Sequence, residues 1–359
     1  MKIISRSVKK KMNKKRVIYE IFFPSFCNNF KDLTDKLDYI IELEGITSIW
    51  LTPFYESPST HGYNISNYKK IKREYGNMED FEKFIEKAHK NNIEVFLDMV
   101  FCHTDYNHPL FLESITKDNN CYFWSDRQED GRWRYCYGNQ KWYYAPWDHT
   151  MPALNGNNPR VRAMIEDTVK FWLSKGVDGF RLDAVPFIEH HGVKGLEFWG
   201  WFRRMCENIK PDIYLVCEAW DEYQVSHAYG KVIGKSFNFE QSGWIKHHIN
   251  TDEPLVIKND IRYDINFLDN HDMSRISHTF NGDLNKLKRS ADILFSLGGD
   301  VCLYYGSEVG HGKDAFVHQG GEGDWKVRTP MPWYDVEIQR KDPNSLFNYY
   351  KKLIKEYNL

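Results

Sequence analysis

Residues 158–183 read NPRVRAMIEDTVKFWLSKGVDGFRLD, a helical stretch over 158–175 followed by a short apolar strand over 179–183. The same unit recurs along the chain. Short β-rich runs at 17–22, 48–52, 94–100, 179–183, 213–217, 236–239, 265–268 and 301–305 alternate with amphipathic helices, including 78–91, 158–175, 196–209, 285–297 and 345–357. In the 78–91 stretch Phe81, Phe84, Ile85 and Ala88 recur at helical spacing and form a core-facing stripe. The strand runs are short, apolar and bounded, as expected of parallel strands covered on both faces. Alternating strands and helices imply βα units. Eight strands so arranged predict an α/β fold, a TIM (β/α)8 barrel.

One interval breaks the alternation. Residues 103–157 show no clean helix and are dense in aromatics: Tyr122, Phe123, Trp124, Trp133, Tyr135, Tyr137, Trp142, Tyr143, Tyr144 and Trp147. This reads as a small excursion domain in the third βα loop, its aromatics serving a mini-core, sugar-stacking platforms, or both. The expected organisation is a basic, disordered tail at 1–16, barrel at 17–102, excursion domain at 103–157 and the remaining barrel at 158–359.

Composition narrows the class. With 42% hydrophobic, 27% charged and 16% aromatic residues, the chain is neither disordered nor fibrous. No run of about 18 apolar residues suggests a membrane span. Residues 1–16 hold eight of the 48 Lys/Arg and no acid, leaving 40 bases against 50 acids in the remainder. That acidic body offers no basic stripe for nucleic acid. The tail lacks the apolar core of a secretory signal. The seven cysteines are scattered, without C-x-x-C spacing, and read as free thiols in a reducing, cytoplasmic compartment.

In a TIM barrel the chemistry gathers at the C-terminal strand ends. Those ends carry Asp98 and His103 on the third strand, Arg181 and Asp183 on the fourth, Glu218 on the fifth, and Asn270-His271-Asp272 on the seventh. Asp183, Glu218 and Asp272 thus converge on one mouth. Paired carboxylates suit glycosidic cleavage, in which one attacks or activates water while a protonated one supplies the leaving oxygen. Arg181 shares the face of Asp183, two residues away on one strand, and would keep it ionised.

These residues, with Gly45–Pro53, His61-Gly62-Tyr63, Tyr304-Tyr305-Gly306, Glu308 and Arg328-Thr329-Pro330-Met331-Pro332-Trp333, follow in the order of glycoside hydrolase family 13, the α-amylase family, which the chain resembles over about 17–357. The resemblance implies that Asp183 is the nucleophile, Glu218 the acid/base, and Asp272 the group that grips the sugar's 2- and 3-hydroxyls. Tyr63 would stack on the sugar; His103, His271 and Arg328 would contact it; Asp98 and Arg181 would support the carboxylates. The implied activity is cleavage of α-glucosidic bonds in malto- or isomalto-oligosaccharides with retention. The Arg328–Trp333 segment resembles that of α-glucosidases and trehalose-forming enzymes.

Departures from the family pattern carry weight too. Cys102 stands where the family commonly has a calcium-binding Asn, and a soft thiol suits calcium poorly, so no tightly bound metal and no cofactor is expected. Ala153 replaces the usual charged residue of the subfamily-marking segment 151–155. Family members usually continue into a C-terminal β-domain, which the resemblance implies is missing here. A homo-oligomer is one way to cover the surface it leaves. A transglycosylase or trehalose-synthase-like isomerase, and a non-catalytic homologue acting as an interaction protein, are the alternative readings.

Overall fold

A computed structural model describes residues 15–117, 119–190, 192–316 and 324–358. Eight parallel strands close into a barrel: β1 (Val17–Ile21), β2 (Ser48–Leu51), β3 (Glu94–Met99), β4 (Gly179–Leu182), β5 (Tyr214–Cys217), β6 (Lys235–Phe237), β7 (Asp264–Phe267) and β8 (Asp300–Tyr304). Each pairs with its neighbours in sequence, and β1 pairs with both β2 and β8. Helices cover the outside, among them Phe30–Glu42, Met78–Lys90, Pro159–Ser174, Gly195–Ile209, Tyr223–Ile233, Phe239–Thr251, Leu284–Ser296 and Leu346–Tyr357. Among the described residues no helix is long and apolar enough to cross a membrane. All seven cysteines are buried and free.

Side-chain alternation divides the strands between two cores. Outward residues such as Tyr19, Ile49, Leu97 and Phe180 pack against the helices, while Ile18, Trp50, Phe96, Tyr214, Phe237, Ile265 and Cys302 fill the barrel. The helix Pro159–Ser174 shows how the outer layer is set. Asn158 caps it by accepting from the Arg160 backbone N–H, and Val161, Ile165, Val169 and Trp172 form its buried stripe. Inside the barrel, the Phe96 and Tyr214 rings stack at 4.6 Å. Gly179, on the intervening strand, makes room for them: a Cβ there would lie 2.3 Å from the Tyr214 carbonyl oxygen.

Arg16, expected in the disordered tail, is instead fixed at the bottom of the barrel. Its backbone N–H donates to Asp300 at 3.0 Å, its Nε donates to Glu94 at 2.7 Å, and its guanidinium lies over Tyr214. Residues 1–14 of the basic segment fall outside the described residues.

Between β3 and β4 the chain forms a three-stranded antiparallel sheet of Trp124–Ser125, Lys141–Tyr144 and Trp133–Cys136. The expectation of no helix in 103–157 is corrected, because Pro109–Thr116 is one. Its eight residues bury only Phe111 and Ser114, too few for a periodic signal. The segment is stitched to the barrel by a bridge between His103 and Ala153 and by the Leu154 N–H donating to the Cys102 carbonyl at 3.0 Å.

Gly179→Ala should lower stability by about 1–3 kcal/mol through overpacking, read as a lower denaturant midpoint at unchanged slope. An unchanged midpoint would contradict this packing.

Candidate active site

The alternation that fills the barrel base with apolar groups carries polar ones to its C-terminal mouth. Asp98 follows Phe96 on β3, Arg181 follows Gly179 on β4, and Asp183 and Glu218 continue the inward faces of β4 and β5. The register sets Asp98 opposite Arg181. Arg181 is 1% exposed, and one guanidinium serves three carboxylates. Its Nη1 donates to Asp98 at 2.8 Å and to Asp183 at 2.6 Å, while Nη2 donates to Glu218 at 2.7 Å. The indole of Trp50 lies beneath the cation, 4.9 Å from ring centroid to guanidinium carbon, and its Nε1–H donates to Asp98.

A second arm leads from Asp98 to Asp272. The Tyr63 hydroxyl donates to Asp98 at 3.0 Å and lies 2.6 Å from His271 Nε2, with the two rings stacked at 5.5 Å. His271 Nε2 is also 3.0 Å from Asp272, and Nδ1 is 2.6 Å from the buried carboxylate of Glu20. Burial alone would strip the proton from His271, but Asp272 and Glu20 reverse this and raise its pKa to about 10. The ring therefore donates from both nitrogens, to Glu20 and to Asp272. Arg328 closes the arm, donating from Nη2 to Asp272 at 2.5 Å and from Nε to the His271 carbonyl. Burial opposes ionisation of Asp272, yet His271 and Arg328 hold its carboxyl well below the usual range.

His103 sits beside Tyr63. Its Nε2 lies 3.0 Å from the Tyr63 carbonyl oxygen, Trp147 packs on its ring at 4.7 Å, and burial lowers its pKa to about 4. All nine residues singled out from the sequence (Tyr63, Asp98, His103, Arg181, Asp183, Glu218, His271, Asp272 and Arg328) thus fall in one connected hydrogen-bond network. Sequence reasoning missed Glu20 and Trp50. The signal for Glu20 was a lone acid in the apolar run VIYEI.

Asp183 and Glu218 share Arg181 but not the same proton affinity. Burial raises Asp183 to about 6, with Arg181 opposing and Asp98 and Asp272 adding to the rise. Burial raises Glu218 further, to about 7, again against Arg181 and with help from Asp183 and Asp272. At neutral pH one is mainly a carboxylate and the other is poised to hold a proton, the division that acid-assisted nucleophilic attack requires. Ala184, held at φ 45°, turns the chain so that its N–H donates to Glu218 at 3.2 Å, while its carbonyl accepts from the Cys102 thiol. The thiol that replaces the expected Asn thus braces the turn after Asp183. Among the described residues no group of three His, Cys, Asp or Glu side chains forms a metal site.

Past Glu218 lies an open groove of about 580 Å³ lined by Trp220, Asp221, Glu222, Gln224, Phe239, Glu240 and Lys258. Trp220 stacks one face on Phe239 at 4.7 Å and is 57% exposed.

A carboxyl whose folded-state pKa is raised favours folding at low pH, and this benefit is lost as pH rises to the folded value. Glu218, raised to about 7, therefore weakens the fold between about pH 4.5 and 7. Glu218→Gln should melt higher than the wild type by a few degrees at pH 8 and lose that advantage at pH 4.5. A difference that does not depend on pH would contradict the assignment.

Known proteins resemble this chain in sequence and in fold. The family model for the α-amylase catalytic domain matches residues 27–357. The chain is 35% identical over 390 aligned residues to Alpha-amylase 3 of Dictyoglomus thermophilum, covering 95% of this chain and 76% of that protein. It is 32% identical to a 4-alpha-glucanotransferase of Thermotoga neapolitana, covering 88% and 75%. Among solved structures, Eubacterium rectale Amy13B matches with a TM-score of 0.86 at 29% identity, covering 96% of this chain and 79% of that one. An α-amylase from H. orenii matches with a TM-score of 0.84 at 32% identity, covering 97% and 82%. A barrel of this topology, a match over nearly its whole length and relatives above 30% identity lead to one conclusion: the chain belongs to the α-amylase family of glycoside hydrolases, family 13.

Proposed function

We propose that the chain is a retaining glycosidase that cleaves α-glucosidic bonds of malto- and isomalto-oligosaccharides through a glycosyl intermediate on Asp183. The observation that carries this is the guanidinium of Arg181, which binds Asp183 and Glu218 on its two terminal nitrogens while their environments keep their proton affinities apart. In the first step Glu218 gives its proton to the glycosidic oxygen as an Asp183 oxygen bonds to the anomeric carbon, the glycosidic C–O bond breaks and the leaving sugar departs as an alcohol. In the second, Glu218 as carboxylate takes a proton from water, which attacks that carbon and frees Asp183. Two inversions give net retention. Asp272, kept ionised, would accept hydrogen bonds from the sugar's 2- and 3-hydroxyls and stabilise the positive charge that develops on the ring. Tyr63, His103, His271 and Arg328 would hold the same sugar.

The groove beyond Glu218 favours a second reading. The exposed face of Trp220 offers a platform for the leaving sugar, and a sugar retained there competes with water for the intermediate. Transfer would then accompany hydrolysis. Relatives named as a 4-alpha-glucanotransferase, an oligo-1,6-glucosidase and a trehalose synthase support a scaffold open to both outcomes. Retention of all three carboxylates weighs against a purely non-catalytic role.

Products from maltose, isomaltose, trehalose, sucrose, maltotriose and soluble starch test the proposal. Maltotriose should yield glucose and maltose with the α-anomer formed first, and saccharides longer than the substrate would report transfer. Asp183→Asn should lose activity by about 10⁴-fold or more. An inverted anomer, or undiminished activity in that variant, would overturn it.

A further inference from the structure

The inserted sheet carries an aromatic row that neither the barrel nor the proposed catalysis uses. In its ladder Trp133 pairs with Tyr144 and Tyr135 with Trp142, so all four side chains share one face. The opposite face anchors the sheet: Tyr143 packs on Phe111 at 5.1 Å and on Tyr106 at 5.8 Å. At its inner end the row is covered. Tyr144 lies 3.4 Å from the ring of His190, seven residues past Asp183 along the chain, and Trp133 is 2% exposed.

Outward, the cover ends. Tyr135 is 40% exposed and Tyr137 is 88% exposed. Tyr135 meets Tyr137 edge-to-face at 5.1 Å and Trp142 at 5.3 Å, arrangements that stagger the rings instead of closing them against one another. Open aromatic clusters of this kind mark binding surfaces. The surrounding charge selects the ligand. Residues 126–141 hold three acids and four bases, several of them paired with one another, as Arg132 with Asp130 and Lys141 with Asp126. A near-neutral surface of staggered rings has no attraction for a polyanion, whereas the C–H faces of pyranose rings stack on it and their hydroxyls reach the polar turn at Asn139 and Gln140.

We propose that Tyr135, Tyr137 and Trp142 form a second α-glucan-binding platform, outside the cleft and joined through Tyr144 and His190 to the segment that follows Asp183. It holds a long chain beside the cleft without touching the reacting bond. This rests on the proposed α-glucan substrate. Long glucans gain affinity from it, since a chain held at one site is presented to the other at high effective concentration. Short oligosaccharides that reach only the cleft gain nothing.

The test is gel retardation by amylopectin, with hydroxyethyl cellulose as control, in the Asp183→Asn background so that no chain is cut. Adding Tyr135→Ala and Tyr137→Ala should weaken retardation by about tenfold, a stacking loss expected for two rings. In otherwise wild-type protein the same pair should leave kcat/KM on maltotriose within about twofold. Tyr137→Ala alone removes a side chain too exposed to matter for folding, and it should give part of the loss. Equal retardation of the variants, no retardation of the parent, or a drop in sedimentation mass caused by the substitutions, which would make the patch a self-association face, overturns the platform. If amylopectin retardation is lost as expected but the wild type cleaves no α-glucoside, the platform stands and the catalytic proposal fails.

Discussion

One buried cation organises this protein's mouth. The Arg181 guanidinium donates hydrogen bonds to carboxylates from three different strands and lies on an indole, with almost no contact with water. Desolvating such a group is costly, and removing one partner of a buried pair typically costs about 3–5 kcal/mol. Here three acids face one base, so the cluster carries surplus negative charge. Burial, with that surplus adding to it, lifts Asp183 and Glu218 into the neutral range. Under the proposed mechanism, the same burial and repulsion that weaken the fold keep a proton on Glu218 for a leaving group.

The second arm has the opposite character. Glu20, His271, Asp272 and Arg328 alternate acid and base, and each charge is matched. Asp272 is therefore held ionised across the range in which Glu218 titrates. Tyr63 joins the two arms by its hydroxyl, so a shift in either is felt at Asp98. Neighbouring carboxylates thus behave as different reagents because different partners surround them.

The barrel was legible because its strands are short apolar runs buried on both faces, a property written into consecutive residues such as those of β4. Arg181 and Asp183 were legible for a related reason, since a two-residue spacing on a strand puts both on one face. Pairings between distant segments were not. Glu20 contacts His271 across 251 positions, and nothing in VIYEI names its partner. The aromatic density of 103–157 announced an insertion but hid the helix Pro109–Thr116 and gave no hint of which rings face out. Arg16 looked like part of a basic run because its partners, Glu94 and Asp300, lie far along the chain.

The whole mouth depends on Arg181, and the pH profile of kcat/KM for Arg181→Lys against the wild type on one α-glucoside tests this dependence most directly. An ammonium is a compact point charge and cannot reproduce a planar fork that binds Asp183 and Glu218 on separate nitrogens. The variant should lose about 10²-fold or more in kcat/KM, with the limb assigned to Glu218 moved upward from about 7. Wild-type activity with unmoved limbs would contradict the central role given to this one guanidinium.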